Sequence, residues 1–414
     1  MTRRAEIVSE LTASGLFELT EDRSLGYPIR IYKNAPSSLR EVFAATEAYA
    51  DRVFTIYGDE VMTFAEARAK VAALARFLLK QGVKKGDRVS IGMRNYPEWI
   101  VAFWACQAVG AVAVALNAWW TSAELAYALE DSTPKVHLVD GERFERIAPL
   151  LGKLGGIAVV ARRGGAPAGG IDFETASAGD DPALPDADVG PQDVATILYT
   201  SGTTGKPKGA YATHRNHVTN IWNTLLGGQV AMAMTGAAPP TAPPPQVGVL
   251  QTFPFFHIGG LTGLYLSTFG GSKVALMYKW NAQEAAELIE RHRLNSVAGV
   301  PIVVRQLLEA ARAGGRDITS LAGVASGGAP VPPDLIRRVE TEFEQKTSPA
   351  NGYGLTETTS AVIANGGAEY FAHPNSIGRP VPTCDARVVD ENGRDVKQGE
   401  IGEIWLRGPN IIPG

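Results

Sequence analysis

Short apolar segments of strand length alternate along this chain with longer segments of helical pattern, and that alternation leaves few folds open to it. Val53-Phe54-Thr55-Ile56-Tyr57 has the length and the β-branched, aromatic content of a strand. A helix from about Phe64 to Gln81 follows and stops at Gly82, where a C-cap glycine is expected. Arg88–Ile91, Lys135–Val139, Ala158–Val160 and Ala195–Tyr199 repeat the strand pattern, and strands near 273–278 and 295–299 flank a helix near 282–293. Together these predict an α/β chain of predominantly parallel sheets covered by helices. The pattern changes near the end, where Ala386–Val389 and Gly402–Arg407 read as antiparallel strands opening a small β subdomain. No internal repeat is visible.

One stretch tests this reading. No charged residue occurs from Trp99 to Ala123, and Ile100 to Leu116 is nearly all apolar. Gln107 and Gly110 interrupt it, Asn117 follows it, and it divides into a helix over about 96–109 and a strand over about 111–116. Buried α/β elements are therefore expected, not a membrane span. At the N-terminus, Glu6, Glu10, Glu18 and Glu21 break up the apolar run that a signal peptide needs. The expected division is an N-terminal arm over 1–40, with one short amphipathic helix carrying Ile7, Leu11 and Leu16. A first α/β subdomain over 41–190, a second over 191–380 and an incomplete β subdomain over 381–414 follow. Residues 163–193, rich in Gly, Ala, Pro and Asp, read as a surface connection, and 235–245, with five prolines, as a surface loop.

The net charge of −4 offers no basic excess to neutralise phosphates, so nucleic acid is not an expected partner. Cys106 and Cys384 stand far apart in a 414-residue chain, which indicates neither a zinc site nor a disulfide framework. A reducing, cytoplasmic setting fits that usage, and the chain is compatible with a homodimer.

Chemistry concentrates in a few segments. Tyr199-Thr200-Ser201-Gly202-Thr203-Thr204-Gly205-Lys206-Pro207-Lys208-Gly209 interleaves small hydroxyl residues with glycines and adds two lysines. Backbone N–H groups and hydroxyls in such a loop can converge on phosphate oxygens, although a flexible surface turn has the same composition. It is not a Walker A loop, because Pro207 stands where the second glycine of that motif belongs. Phe253-Pro254-Phe255-Phe256-His257-Ile258-Gly259-Gly260-Leu261 sets a histidine among rings and glycines, either closing one end of an apolar pocket or satisfied in a core. Ser326-Gly327-Gly328-Ala329-Pro330 passes alone for an ordinary turn. Asn351-Gly352-Tyr353-Gly354-Leu355-Thr356-Glu357 joins an aromatic face to a carboxylate. Thr63-Phe64 with Glu66, and Gly110 with Asn117, read as structural, and His137, His214, His217, His292 and His373 show no ligand pattern.

In this order the segments resemble the adenylate-forming superfamily, which includes acyl-CoA synthetases, luciferases and peptide-synthetase adenylation domains. The resemblance spans roughly residues 40–414 and is closest to fatty or aryl acyl-CoA ligases. It implies the large N-terminal domain of those enzymes, with two helix-flanked β-sheets plus the start of a small β-barrel subdomain. It further implies that Thr200, Ser201, Gly202, Thr203, Thr204, Gly205 and Lys208 hold ATP phosphates, and that Gly328, Ala329, Pro330, Asn351, Gly352 and Tyr353 border the adenine. Thr356 would contact the α-phosphate region, and Glu357 with Thr204 would hold Mg²⁺. His257, Thr356 and Glu357 are the implied catalytic residues. The implied acyl pocket is lined by His257, Ile258, Gly259, Gly263, Ser326, Gly354 and Leu355, though the glycines among them also suit close packing.

The implied activity is ATP-dependent formation of an acyl adenylate from a fatty or aryl carboxylic acid, followed by transfer to coenzyme A. His257 stands where amino-acid activators carry an aspartate, and the interval from Tyr353 to Ile377-Gly378-Arg379 lacks the long insertion of relatives that load carrier proteins. Transfer to a carrier protein, or nucleotide and acyl binding without turnover, are the alternatives. The family's small C-terminal domain, with its ribose-binding aspartate and mobile lysine, lies beyond Gly414, so the resemblance implies little turnover by residues 1–414 themselves.

Overall fold

The computed structural model describes residues 2–162, 166–200, 206–236, 245–342 and 348–414. The chain opens with a helix, Arg3–Ala13, and a hairpin of β1 (Leu19–Asp22) and β2 (Ile29–Tyr32). Strands β3 (Val53–Tyr57) and β4 (Glu60–Thr63) then form one edge of a sheet that the chain completes much later. A second sheet follows: β5 (Arg88–Gly92), β6 (Val112–Ala115), β7 (Val136–Val139), β8 (Ile157–Val160) and β9 (Ile171–Asp172), closed by the antiparallel hairpin β10 (Val194–Thr200) and β11 (Lys208–Thr213). The chain returns to the first sheet through β12 (Gly248–Gln251), β13 (Lys273–Leu276), β14 (Ser296–Gly299), β15 (Gly323–Gly327), β16 (Ser348–Leu355), β17 (Ser360–Gly366) and β18 (Arg379–Pro380). β19 (Asp385–Val389) and β20 (Glu403–Arg407) pair antiparallel as a separate ribbon.

Among the described residues the sheet orders are β11-β10-β6-β5-β7-β8-β9 and β18-β17-β16-β15-β14-β12-β13-β3-β4. The two sheets therefore interleave in sequence instead of dividing at residue 190. Val53–Tyr57 pairs with β13, more than 200 residues on, and Val194–Thr200 pairs with β6. Local pattern identifies these strands but says nothing about which sheet each one joins.

Alternation of side chains along the strands builds the layers. Val89, Ile91, Ala113, Ala115 and Val159 face an inner layer shared with Phe54, Val274 and Leu276 of the other sheet. The helices Phe64–Lys80, Pro97–Ala108, His214–Thr235 and Ile258–Phe269 fill it. Val114, Leu116, Ala158 and Val160 face outward under the helices Ser122–Ser132 and Gly141–Ile147. The helices Ala282–His292 and Pro301–Gly314 cover the outer face of the nine-stranded sheet. The uncharged stretch after Trp99 is the inner helix Pro97–Ala108 and β6, and Trp99, Phe103, Trp104, Cys106 and Gln107 are all buried. Among the described residues no helix is long and apolar enough to cross a membrane.

Thr63 and Glu66 form a reciprocal capping box on the helix Phe64–Lys80, which accounts for that pair structurally. In the arm, Ile7 and Leu11 pack on the core, but Leu16 lies beyond the helix and is 50% exposed, so it is not part of the apolar face. The arm also holds the β1–β2 hairpin, whose Thr20, Glu21, Asp22 and Arg30 mask any strand alternation in the sequence.

Candidate active site

At β12 and β14, neighbours in the nine-stranded sheet, the chain departs to opposite faces. β12 leads into the inner helix Ile258–Phe269, and β14 into the outer helix Pro301–Gly314. Such a divergence opens a crevice at the carboxyl ends of the strands. The Thr252 hydroxyl donates to the Ala298 carbonyl across its base. Gly328, just past β15, has a φ of +74°, which favours glycine, and a Cβ there would have Val300 at 3.7 Å and Phe253 at 3.9 Å as nearest neighbours. The Ser326-to-Pro330 turn and the Phe253-to-His257 loop thus meet at the crevice. Ser326 itself is buried and donates to the Gly299 carbonyl at 3.2 Å, so its hydroxyl is already engaged.

His257 caps the inner helix: its Nδ1 accepts from the Gly259 N–H at 3.1 Å. That bond assigns the ring proton to Nε2, leaving a donor free of the cap. Phe253 lies nearly parallel to the ring, with centroids 6.1 Å apart and planes at 16°. His257 keeps more than a third of its surface open to solvent, yet crowding by protein lowers its pKa by desolvation, so the ring is neutral at pH 7. Its neighbours also serve the packing of the helix. Ile258 is buried in the inner layer and supports the helix. A Cβ on Gly263 would sit 2.8 Å from Gln251 Oε1, and one on Gly259 would lie 3.3 Å from the His257 ring, so both glycines allow close packing, and both remain partly accessible.

The second wall follows β16, which lies beside β15 with Ser326 opposite Asn351 and Gly327 opposite Gly352. Gly354 is obligatory, because a Cβ there would fall 1.9 Å from the Ser360 carbonyl oxygen across a bulge. Tyr353 is half-buried against Val362, Ile363 and Cys384, while Leu355 is 51% exposed. Thr356 and Glu357 begin a turn that ends in Thr359 and Ser360, at φ +48° and +78°, an unfavourable region for such residues. The turn is held from outside: Thr359 Oγ1 donates to Asn410 O at 2.8 Å, Asn410 Nδ2 to Thr358 O at 3.0 Å, and Ile412 N to Glu357 O at 3.0 Å. Strain held by converging contacts is common at functional sites.

The same segment reaches the other sheet. Asn216 Nδ2 donates to Pro409 O and Ile411 O, at 2.8 and 3.1 Å, and Tyr211 N to Gly414 O at 2.9 Å. It joins the Thr356–Thr359 turn to the hairpin that carries Thr200 and Lys208, which face each other at the ends of β10 and β11. Ser201, Gly202, Thr203, Thr204 and Gly205 lie outside the described residues. Lys208 is exposed, and Lys206 sits over the Tyr127 ring at 5.5 Å.

Glu357 is exposed and has no ion pair among the described residues. Mg²⁺ takes one or two protein carboxylates alongside water and substrate phosphates, so a single open carboxylate suits an ion carried in with a nucleotide. No cluster of three or more His, Cys, Asp or Glu side chains forms a self-contained metal site among the described residues. His137, His214 and His217 are buried; His137 is bonded to Ser90, His214 to the Leu39 N–H and His217 to Thr196. One polar residue at the site has no signal in the sequence: Asn95, which follows β5 and binds the backbone at Phe253 and Phe255. It stands in an ordinary turn before Pro97.

The profile of the AMP-binding enzyme family matches residues 42–414. A feruloyl-CoA synthase from Amycolatopsis sp is 33% identical over 359 residues, covering 86% of this chain and 67% of the relative. An indoleacetate–CoA ligase from Aromatoleum aromaticum is 30% identical over 353 residues, covering 85% of this chain and 66% of the relative. Among solved structures, a long-chain-fatty-acid–CoA ligase from Archaeoglobus fulgidus superimposes with a TM-score of 0.80 at 26% identity, over 92% of this chain and 76% of the other. An o-succinylbenzoate CoA synthetase from Bacillus subtilis, in complex with its acyl-adenylate intermediate, gives 0.74 at 26% identity, over 91% and 70%. The chain spans about two thirds of the length of the curated relatives it matches.

Proposed function

Because this chain belongs to the AMP-binding enzyme family of acyl-CoA-ligase-like adenylate-forming proteins, we propose that it activates an aryl or fatty carboxylic acid as the acyl adenylate for transfer to coenzyme A. The observation that carries this reading is the meeting of the His257 loop, the Gly328 turn and the Thr356–Glu357 turn around one crevice at the carboxyl ends of β12, β14, β15 and β16. Gly328 to Pro330 and Tyr353 offer flat backbone and an aromatic edge to adenine. Thr200 to Gly205 with Lys208 take the phosphates. Bound beside Glu357, Mg²⁺ supplies charge neutralisation on those phosphates.

The Nε2–H of His257 is suited to hold an oxygen of the acid and orient the other toward the α-phosphorus. A carboxylate oxygen forms the new P–O bond as the bond to pyrophosphate breaks, and catalysis rests on positioning and charge stabilisation. In the second half-reaction a thiolate sulfur attacks the acyl carbon and AMP leaves. Phe253 and Phe256 beside His257, together with relatives named for feruloyl and indoleacetate substrates, support an aryl acid as the first choice, with fatty acids next.

Incubation with Mg²⁺, ATP and a panel of aryl and fatty acids, with and without coenzyme A, tests the proposal. Acid-dependent acyl-AMP and a coenzyme A thioester are expected. Acyl-AMP without the thioester assigns the acceptor to a carrier protein, and no acid-dependent product with any panel member overturns the reading. The rate of acyl-AMP formation in the same incubation tests the expectation of low turnover.

A further inference from the structure

The loop that carries His257 is held by the opposite sheet. Asn95 Nδ2 donates to Phe253 O at 2.9 Å, and its Oδ1 accepts from Phe255 N at 3.0 Å. Two backbone groups two residues apart are the pair a strand partner would engage, so one side-chain amide takes the place of a strand where the chain has already left β12. Gln251 Nε2 donates to the same Phe253 carbonyl at 2.6 Å, clamping it from its own strand as well. Asn95 is anchored in turn: Arg94 N donates to Asp140 Oδ2 at 3.1 Å, and Asp140 is fixed by two bonds from Arg143 Nη1, at 3.0 and 2.9 Å. Tyr96 packs between Tyr57 and Tyr278, with ring centroids 5.5 and 5.9 Å away.

We infer that Asn95 is a positioning residue for His257, setting the acid-side loop in register with the seven-stranded sheet so that the ring meets the acyl group at a fixed height above the nucleotide. The inference rests on the adenylation reading above. The task requires a donor and an acceptor on one short side chain. Aspartate keeps the acceptor and loses the donor, and alanine loses both. Phe255 is fully buried and stacks on Trp99 at 4.9 Å, so the clamp joins a rigid core to the loop two residues before His257.

Calorimetry with a non-hydrolysable acyl sulfamoyl-adenosine and with AMP tests this in wild type, Asn95→Ala, His257→Ala and the double variant. Asn95→Ala is expected to weaken the acyl analogue about tenfold while AMP binding stays within about twofold. In the His257→Ala background the further loss should be under about twofold, since both changes remove one interaction. Multiplying losses, an unchanged acyl affinity, or equal weakening of AMP overturns the inference and leaves the adenylation reading standing. Failure of the wild type to bind either ligand overturns both. If Asn95→Ala does not fold, Asn95→Asp, which retains the acceptor for the Phe255 N–H, is carried through the same cycle and decides the matter by the same criteria.

Discussion

Each sheet has a point where neighbouring strands send the chain to opposite faces, and the two resulting crevices are furnished in opposite ways. Between β5 and β7 most charges are paired with one another, although the buried Arg94 Nε has no hydrogen-bond partner and its guanidinium lies over the Tyr278 ring at 5.3 Å. Arg143 is buried, bonded to Asp140, to the Ala118 carbonyl at 2.8 and 2.6 Å, and to Glu142 at 2.8 Å, and Glu142 also accepts from the Tyr278 hydroxyl at 3.1 Å. At the ends of β12 and β16 the groups stay open: His257 spends one nitrogen on its own helix cap, and Glu357 stands exposed. The first arrangement stabilises the fold and holds Asn95 in place. The second leaves polar groups accessible, as the proposed function requires. Topology alone cannot separate the two, but the partners of the polar side chains do.

The largest test of this contrast is Arg143→Ala. Removing one member of a buried, hydrogen-bonded pair leaves Asp140 uncompensated and should cost about 3–5 kcal/mol in urea unfolding. A loss comparable to that of an exposed substitution would break the comparison. The histidines extend it. Burial lowers His214 to about 4 and His217 to about 3, from the 6.5 of an unfolded chain. The unfolded state therefore takes up protons first, and stability should fall as pH drops from 6.5 toward 4, by at most about 1.4 kcal/mol per unit for each ring. His217→Gln should flatten that slope, measured as urea midpoints from pH 7 to 5; an unchanged slope would show that other groups govern it.

Gly263→Ala comes next, at about 1–3 kcal/mol for forcing a methyl against Gln251, with no selective shift in acid preference. A changed acid preference without loss of stability would place Gly263 in the pocket wall. The smallest stability effect belongs to Glu357→Ala, expected within about 0.5 kcal/mol of wild type, while Mg²⁺-dependent ATP binding is lost. Wild-type Mg²⁺ dependence in that variant would remove Glu357 from the metal role.

Most strands were legible because Val53–Tyr57, Arg88–Ile91 and Ala195–Tyr199 carry a local pattern that needs no partner. Their assignment to sheets was not, since Val53–Tyr57 bonds a strand beginning at Lys273 and nothing near residue 53 encodes that. Of the ordered motifs, Gly328 follows β15, and Tyr353 and Glu357 stand at the end of the adjoining β16. Sequence could not decide the roles of Ile258 and Gly263, because an apolar residue and a glycine beside a histidine look the same whether they face a ligand or a helix neighbour. Asn95 was invisible because its partners are backbone atoms 158 and 160 residues away.

A crystal structure of the protein with an acyl sulfamoyl-adenosine tests the central claim most directly. The account predicts the adenine at Gly328 and Tyr353, the sulfamoyl group beside Thr356, and the acyl carbonyl within hydrogen-bond distance of His257 Nε2. Density for the analogue in the cleft between β5 and β7, against Tyr96 and Arg143, with the β12–β14 crevice unfilled, would contradict it.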